Sequence, residues 1–154
     1  MGLVINEKMS WKPHIDKVSR KISSVIGAMN KVKNILPSRV LLKIYNSLIL
    51  SRLHYGILCW GFITKYIFKL QKKAVRTICR TKYNGHTDPL FKKLNLLKIN
   101  DIFQTKCVCF YYNHLNNKLP AYFQSIFTPN IYTHSYNTRY RDCTHSVRPN
   151  KETT

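Results

Sequence analysis

KYIFKLQKKAVRTICR, residues 65–80, carries two patterns on one presumptive helix. Lys65, Lys69, Lys72, Arg76 and Arg80 recur at intervals of 4, 3, 4 and 4. At about 100° per residue they share an arc of roughly 80°. Ile63, Ile67, Leu70, Ala74 and Ile78 fill a similar arc on the opposite side. The spacing predicts a helix with one face in a protein core and the other turned to something anionic. No Glu is interspersed to neutralise the basic face through i,i+4 pairs. Lys73 and Lys82 add to the same basic segment. The stretch from Lys65 to Arg80 spans about 22 Å as a helix, enough to follow several phosphates. The alternative is an ordinary solvated face.

The whole chain shares this bias: 26 Lys+Arg stand against 6 Asp+Glu, a net charge of +20 in 154 residues. Such a charge repels itself and calls for a polyanionic partner, nucleic acid first. An anionic membrane surface and a generally basic soluble protein are the other readings. The chain is 44% hydrophobic, so it has material for a core. The most apolar stretch, residues 48–63, is interrupted by Arg52 and His54 and is too short to span a bilayer. MGLVIN has Asn6 where a myristoylation signal wants Ser or Thr, and no secretory signal is visible. Cys59, Cys79, Cys107, Cys109 and Cys143 are odd in number and irregularly spaced, which predicts reduced thiols in a nuclear or cytoplasmic setting.

Mainly α structure is expected, a bundle of about five to six helices. Leu3, Val4 and Ile5 suggest the end of a strand in residues 1–10. Pro13 opens a helix, capped near Ser10 or Trp11, whose stripe Ile15, Val18, Ile22, Val25, Met29 and Val32 is heptad-like. Pro37 ends it, and an antiparallel neighbour is expected next. That second helix, from Ser38 to about Tyr55, is apolar nearly all round, which places it at the bundle centre. Gly56 and Gly61 bracket a break before the basic helix. Asn84-Gly85 marks a turn; Asp88 and Pro89 start a fourth helix, Asn100 or Asp101 a fifth, and Pro120 a last short one through Phe127. Residues 129–154 lose periodicity and read as a basic flexible tail, with a short hairpin as the alternative. Arg139 and Arg141 form a weaker second basic patch there.

Taken in order, MSWKPHIDKVSRKISSVIGAMNKVKNILPSRVLLKIYNSLILSRLHYGILCWG, LQKKAVRTI, HTDPLFKKLNLLKINDI, LPAYFQSIF and YNTR resemble one pattern. It is the region after the polymerase palm in reverse transcriptases of non-long-terminal-repeat, jockey-like retrotransposons. The resemblance covers roughly residues 2–140. It implies a palm-edge strand remnant at 1–10, a thumb-like helical bundle at 11–82, connection helices at 83–128 and the tail beyond. It also implies a helical grip on a template–primer duplex of RNA and/or DNA, with the palm of an intact element as a further partner. The family's polymerase holds two divalent metals on a Phe/Tyr-x-Asp-Asp pair and another Asp. Here no Asp-Asp occurs, and Glu7, Asp16, Asp88, Asp101, Asp142 and Glu152 are scattered. The expectation is therefore a fragment with a binding surface, no catalysis of its own, and no cofactor or metal. A helical protein–protein interaction module and a non-functional retroelement relic are the alternatives.

Other motifs have structural readings. His14-Ile15-Asp16 and His86-Thr87-Asp88 match the His-x-Asp of iron oxygenases, but both lie at helix starts, where Asp serves as a cap. Cys107 and Cys109 point apart on a helix, and Cys143-Thr144-His145 lacks a zinc-site partner. These thiols read as buried or inert. Phe103, Phe110, Tyr111 and Tyr112 could stack on bases but have the spacing of core residues, and Trp60 reads as core.

Overall fold

The computed structural model describes residues 2–8, 10–124, 127–129 and 144–146, and these are mainly α-helical. In chain order they form α1 (Lys12–Val32), α2 (Ser38–Ile44), a π-helical segment (Tyr45–Leu50), α3 (Ser51–His54), α4 (Ile57–Trp60), α5 (Lys65–Cys79), α6 (Asp88–Lys93), α7 (Ile99–Leu115), α8 (Ala121–Gln124), β1 (Phe127–Pro129) and β2 (Thr144–Ser146). The chain divides into two compact units, residues 1–107 and 108–154.

The first unit holds the bundle. Its core is built from Ile15, Ile22, Ile26 and Met29 of α1, Leu41, Tyr45, Ile49 and Leu53 of the second helical run, Trp60 of α4, Ile67, Ala74 and Ile78 of α5, and Ile99 and Ile102 of α7. Pro13 starts α1, where its missing N–H costs nothing, and Ser10 Oγ accepts from Lys12 N at 3.3 Å. The buried stripe of α1 moves from Val25, half-buried, to Ile26. A straight helix turns every 3.6 residues rather than 3.5, so a heptad reading drifts off the core.

The main neighbour of α1 is α5, not the helix that follows it. Ser19 and Ser23 share a cleft with Tyr66, and Thr77 Oγ1 donates to Asn30 Oδ1 at 3.2 Å. Both pairings advance in the same direction along the two chains, so α1 and α5 run parallel. The helical run that follows also touches α1, through residues 45–50.

Residues 38–54 form one continuous helical run with the π segment in its middle. Leu41, Tyr45, Ile49 and Leu53 are all fully buried. Intervals of four drift by about 40° each on an α-helix. The wider π turn, marked by Ser51 N–H donating to Asn46 O, lets them share one face. Ser47 Oγ, Ser51 Oγ and Arg52 donate back to the carbonyls of Ile44, Ser47 and Leu48. The outer face, with Lys43, Ser47, Leu48 and Ser51, is exposed. This helix is therefore half-buried rather than apolar on all sides.

The helices on either side of residue 82 share this one core, because Phe68 of α5 meets Phe91 of α6 at 6.3 Å and Gln71 bonds residues 97 and 99. Thr87 precedes α6 and Asp88 is its first residue, so Asp88 is not the cap. Residues 2–6 adopt no strand; no other described segment pairs with them, and a lone strand does not persist. Leu3 instead lies over Gly56, whose φ of 62° and close approach both suit a residue without Cβ.

In the second unit, α7 ends at Leu115 and Asn117 takes a left-handed φ of 52°. Phe110 and Phe123 meet edge to face at 5.7 Å. β1 and β2 pair antiparallel with Phe127 opposite Ser146. Phe127 is thus in a strand, not in the last helix. The tail's expected flexibility falls largely on residues outside those described.

Candidate nucleic-acid interface

The helix α5 is where the sequence places it, and its buried residues are Ile67, Gln71, Ala74, Val75, Thr77 and Ile78. The buried sector is about 160° wide, broader than the apolar stripe, because Gln71, Val75 and Thr77 join it. Ile63 is exposed and precedes the helix. Thr64, ahead of the first turn, donates from Oγ1 to Asn100 Oδ1 at 2.7 Å, which ties the start of α5 to the start of α7.

On the outer sector Lys65, Lys69 and Lys73 are exposed and, among the described residues, have no carboxylate within 4 Å. Lys82 is exposed in the following turn. The remaining cations of the stripe have structural contacts as well. Lys72, half-buried, holds its Nζ 4.4 Å from the Phe68 ring centroid. Arg76, also half-buried, donates from Nε to Gly85 O at 3.1 Å and lies 5.9 Å from the Tyr83 ring. Arg80 closes the helix at φ 53° and donates from Nη2 to Leu36 O at 2.8 Å, locking the end of α5 to the turn after α1. Arg139 and Arg141 lie outside the described residues.

Folding alters the local charge in two ways that the linear pattern hides. Asp88 comes to the α6 side of the ridge, where Lys98 binds it at 3.0 Å; among the described residues this is the one Lys–carboxylate pair. The hydrogen bond and charge of Lys98 hold the Asp88 carboxyl below its ordinary range, with Lys72 adding to the effect. On the other side, α1 brings Lys33 and Asn30 against Lys73, Arg76, Thr77 and Tyr83 around a cleft of about 170 Å³. Arg20 lines a second cleft with Tyr66. The sequence pattern of α5 could not reveal Lys33, Asn30 and Tyr83; the parallel pairing of α1 and α5 brings them together.

The other motifs resolve into packing. His14 is buried between Trp11 and Trp60, with ring centroids at 6.3 and 5.9 Å, while Asp16 two residues on is exposed. Burial, and then the Lys17 charge, push the His14 pKa down. Trp60 is fully buried and its indole N–H donates to Tyr55 O at 3.0 Å. Among the described residues no three His, Cys, Asp or Glu side chains converge on a possible metal position. Cys59, Cys107 and Cys109 are free and exposed, and Cys79 is free and half-buried, so these thiols are not core residues. Tyr111 and Tyr112 are exposed too, against their core-like spacing, while Phe103 packs on the core. No described helix is long and apolar enough to cross a membrane.

The arrangement presents fixed positive charge on the outer side of α5. Comparison with family models, curated proteins and solved structures yields no match for this chain.

Proposed function

We propose that this chain binds nucleic acid through the phosphate backbone, as the thumb-like part of a retroelement reverse transcriptase would grip a template–primer duplex. The observation that carries this reading is the outer face of α5. Lys65, Lys69 and Lys73 stand exposed along it without carboxylate partners among the described residues, on a helix anchored by its opposite face. Ammonium groups on a rigid rod contact phosphates in register and read no base, so binding is tolerant of sequence. No catalytic step belongs to this reading. The wider retroelement assignment rests on the resemblance of the segments quoted above.

The test is affinity for a blunt RNA–DNA heteroduplex across a salt series. Three or four phosphate contacts give a log–log slope of about −3 to −4, or roughly a hundredfold loss between ~50 and ~200 mM salt. Lys65→Glu with Lys69→Glu reverses two of these charges and should abolish binding while leaving the helical circular dichroism unchanged. Affinity indifferent to salt and to these substitutions would reject phosphate recognition and favour a protein-docking module.

A further inference from the structure

The cleft between the C-terminal halves of α1 and α5 has features that a phosphate ridge does not need. Lys33, Lys73 and Arg76 line it, with no carboxylate among the described residues of its walls. Thr77 Oγ1 stands 3.2 Å from Asn30 Oδ1 and 3.0 Å from Lys73 O; with its one proton on Asn30 Oδ1, the Asn30 amide nitrogen is left as a donor for a ligand. Arg76 commits Nε to Gly85 O, so its two Nη groups remain available. That same bond pins the turn carrying Tyr83, which Gly85 N–H to Lys82 O closes at 3.0 Å. Tyr83 is thereby held at the cleft while 78% of its surface stays exposed.

We propose that this cleft seats one backbone phosphate of an unpaired nucleotide and that Tyr83 stacks on the neighbouring base. This rests on the nucleic-acid reading above and specifies the strand state that the site takes. A space of about 170 Å³ is smaller than a typical site for a whole drug-sized ligand and suits a single compact anion. A base inside a duplex has both faces covered by its neighbours; an unpaired base can offer one to an aromatic ring. The C-terminal ends of two parallel helices oppose an anion, with about half a negative charge each. Three full positive charges outweigh that. Three of the nearby carbonyls are also occupied: Leu36 O by Arg80, Arg76 O by Thr81 N–H, and Thr77 O by Arg80 N–H.

The experiment compares two probes on the full chain by fluorescence anisotropy: a blunt heteroduplex, and the same duplex with a short single-stranded extension. The extension should tighten binding. Tyr83→Ala should remove about tenfold in affinity for the extended probe only, and Tyr83→Phe should restore it. Lys33→Ala should weaken the extended probe and lose its effect when the extension carries uncharged methylphosphonate linkages. Equal binding of both probes, with Tyr83→Ala and Lys33→Ala silent, overturns the seat and leaves the duplex ridge standing. Failure of the chain to bind either probe overturns both readings.

Discussion

Gln71 lies in the middle of the buried face of α5 and makes three hydrogen bonds there. Its Nε2 donates to Tyr45 Oη and Leu97 O, and its Oε1 accepts from Ile99 N–H, each at 2.9 Å. One side chain thus joins α5 to the π segment and to the start of α7. Gln71→Leu would leave a buried N–H and a carbonyl without partners, at a cost of about 3 kcal/mol. Tyr45→Phe removes a single partner and should cost about 1 kcal/mol. Urea unfolding measures both; equal losses would show that Gln71 is not the tie. His14 makes a second prediction, through pH. Its Nδ1 is buried without a hydrogen bond, and its pKa is pushed below 6.5 in the folded chain. The unfolded chain then binds the proton first, so stability is full above 6.5 and falls as pH drops from there toward the lower folded value. His14→Phe should flatten part of that fall below pH 6.5, above the range in which Asp88 titrates. His54, likewise pushed down by burial and Lys106, adds to the fall. An unchanged slope in His14→Phe would show that the imidazole is protonated equally in both states.

Among the elements, Gly61 sets how closely the end of α4 meets α7. A Cβ there would meet the Phe103 ring and sit 2.5 Å from Ile57 O. Its φ of −64° is ordinary, so the demand is for space rather than backbone freedom. Gly61→Ala should destabilise by about 1–3 kcal/mol through overpacking. Adding Phe103→Leu should recover part of the loss, and a double-mutant cycle reads the coupling. Additive losses would place the strain elsewhere. The elements also show which information was local. The residues of α5 announce both its faces because each face repeats within a few turns. Leu41, Tyr45, Ile49 and Leu53 contain the signal for a widened turn in their intervals of four, but Val40, Ile44, Leu48 and Leu50 mask it with an all-round apolar pattern. Gln71 looks polar and therefore outward until Leu97 and Ile99 supply its partners. Likewise Lys65 and Lys69 could be read as exposed cations from spacing alone. That Arg76 and Arg80 also hold the turns at Gly85 and Leu36 depends on contacts made by distant segments.

For the molecule as a whole, charge sets two opposite responses to salt. The net charge is +20, and among the described residues Lys98–Asp88 is the one ion pair that offsets it. Repulsion among cations should dominate the surface energy, so screening should stabilise the fold. The Debye length falls from about 30 Å at 0.01 M to about 10 Å at 0.1 M, which brings neighbouring cations of the ridge partly out of each other's field. Tm of the free chain should therefore rise as sodium chloride is added over this range. A bound heteroduplex stabilises by mass action, about 2.7 kcal/mol when free ligand is a hundred times Kd. Its Kd rises steeply with salt, so this increment should vanish while the intrinsic Tm climbs. Thermal melts with and without heteroduplex should thus be far apart at low salt and converge at high salt on the higher Tm of the unbound chain. Lys65→Glu with Lys69→Glu should bring them together at low salt and raise the free chain's Tm there, because two repulsive charges have become attractive ones. A free chain whose Tm falls with added salt would mean that attractive pairs outweigh repulsion, and a ridge of uncompensated cations would no longer describe its surface.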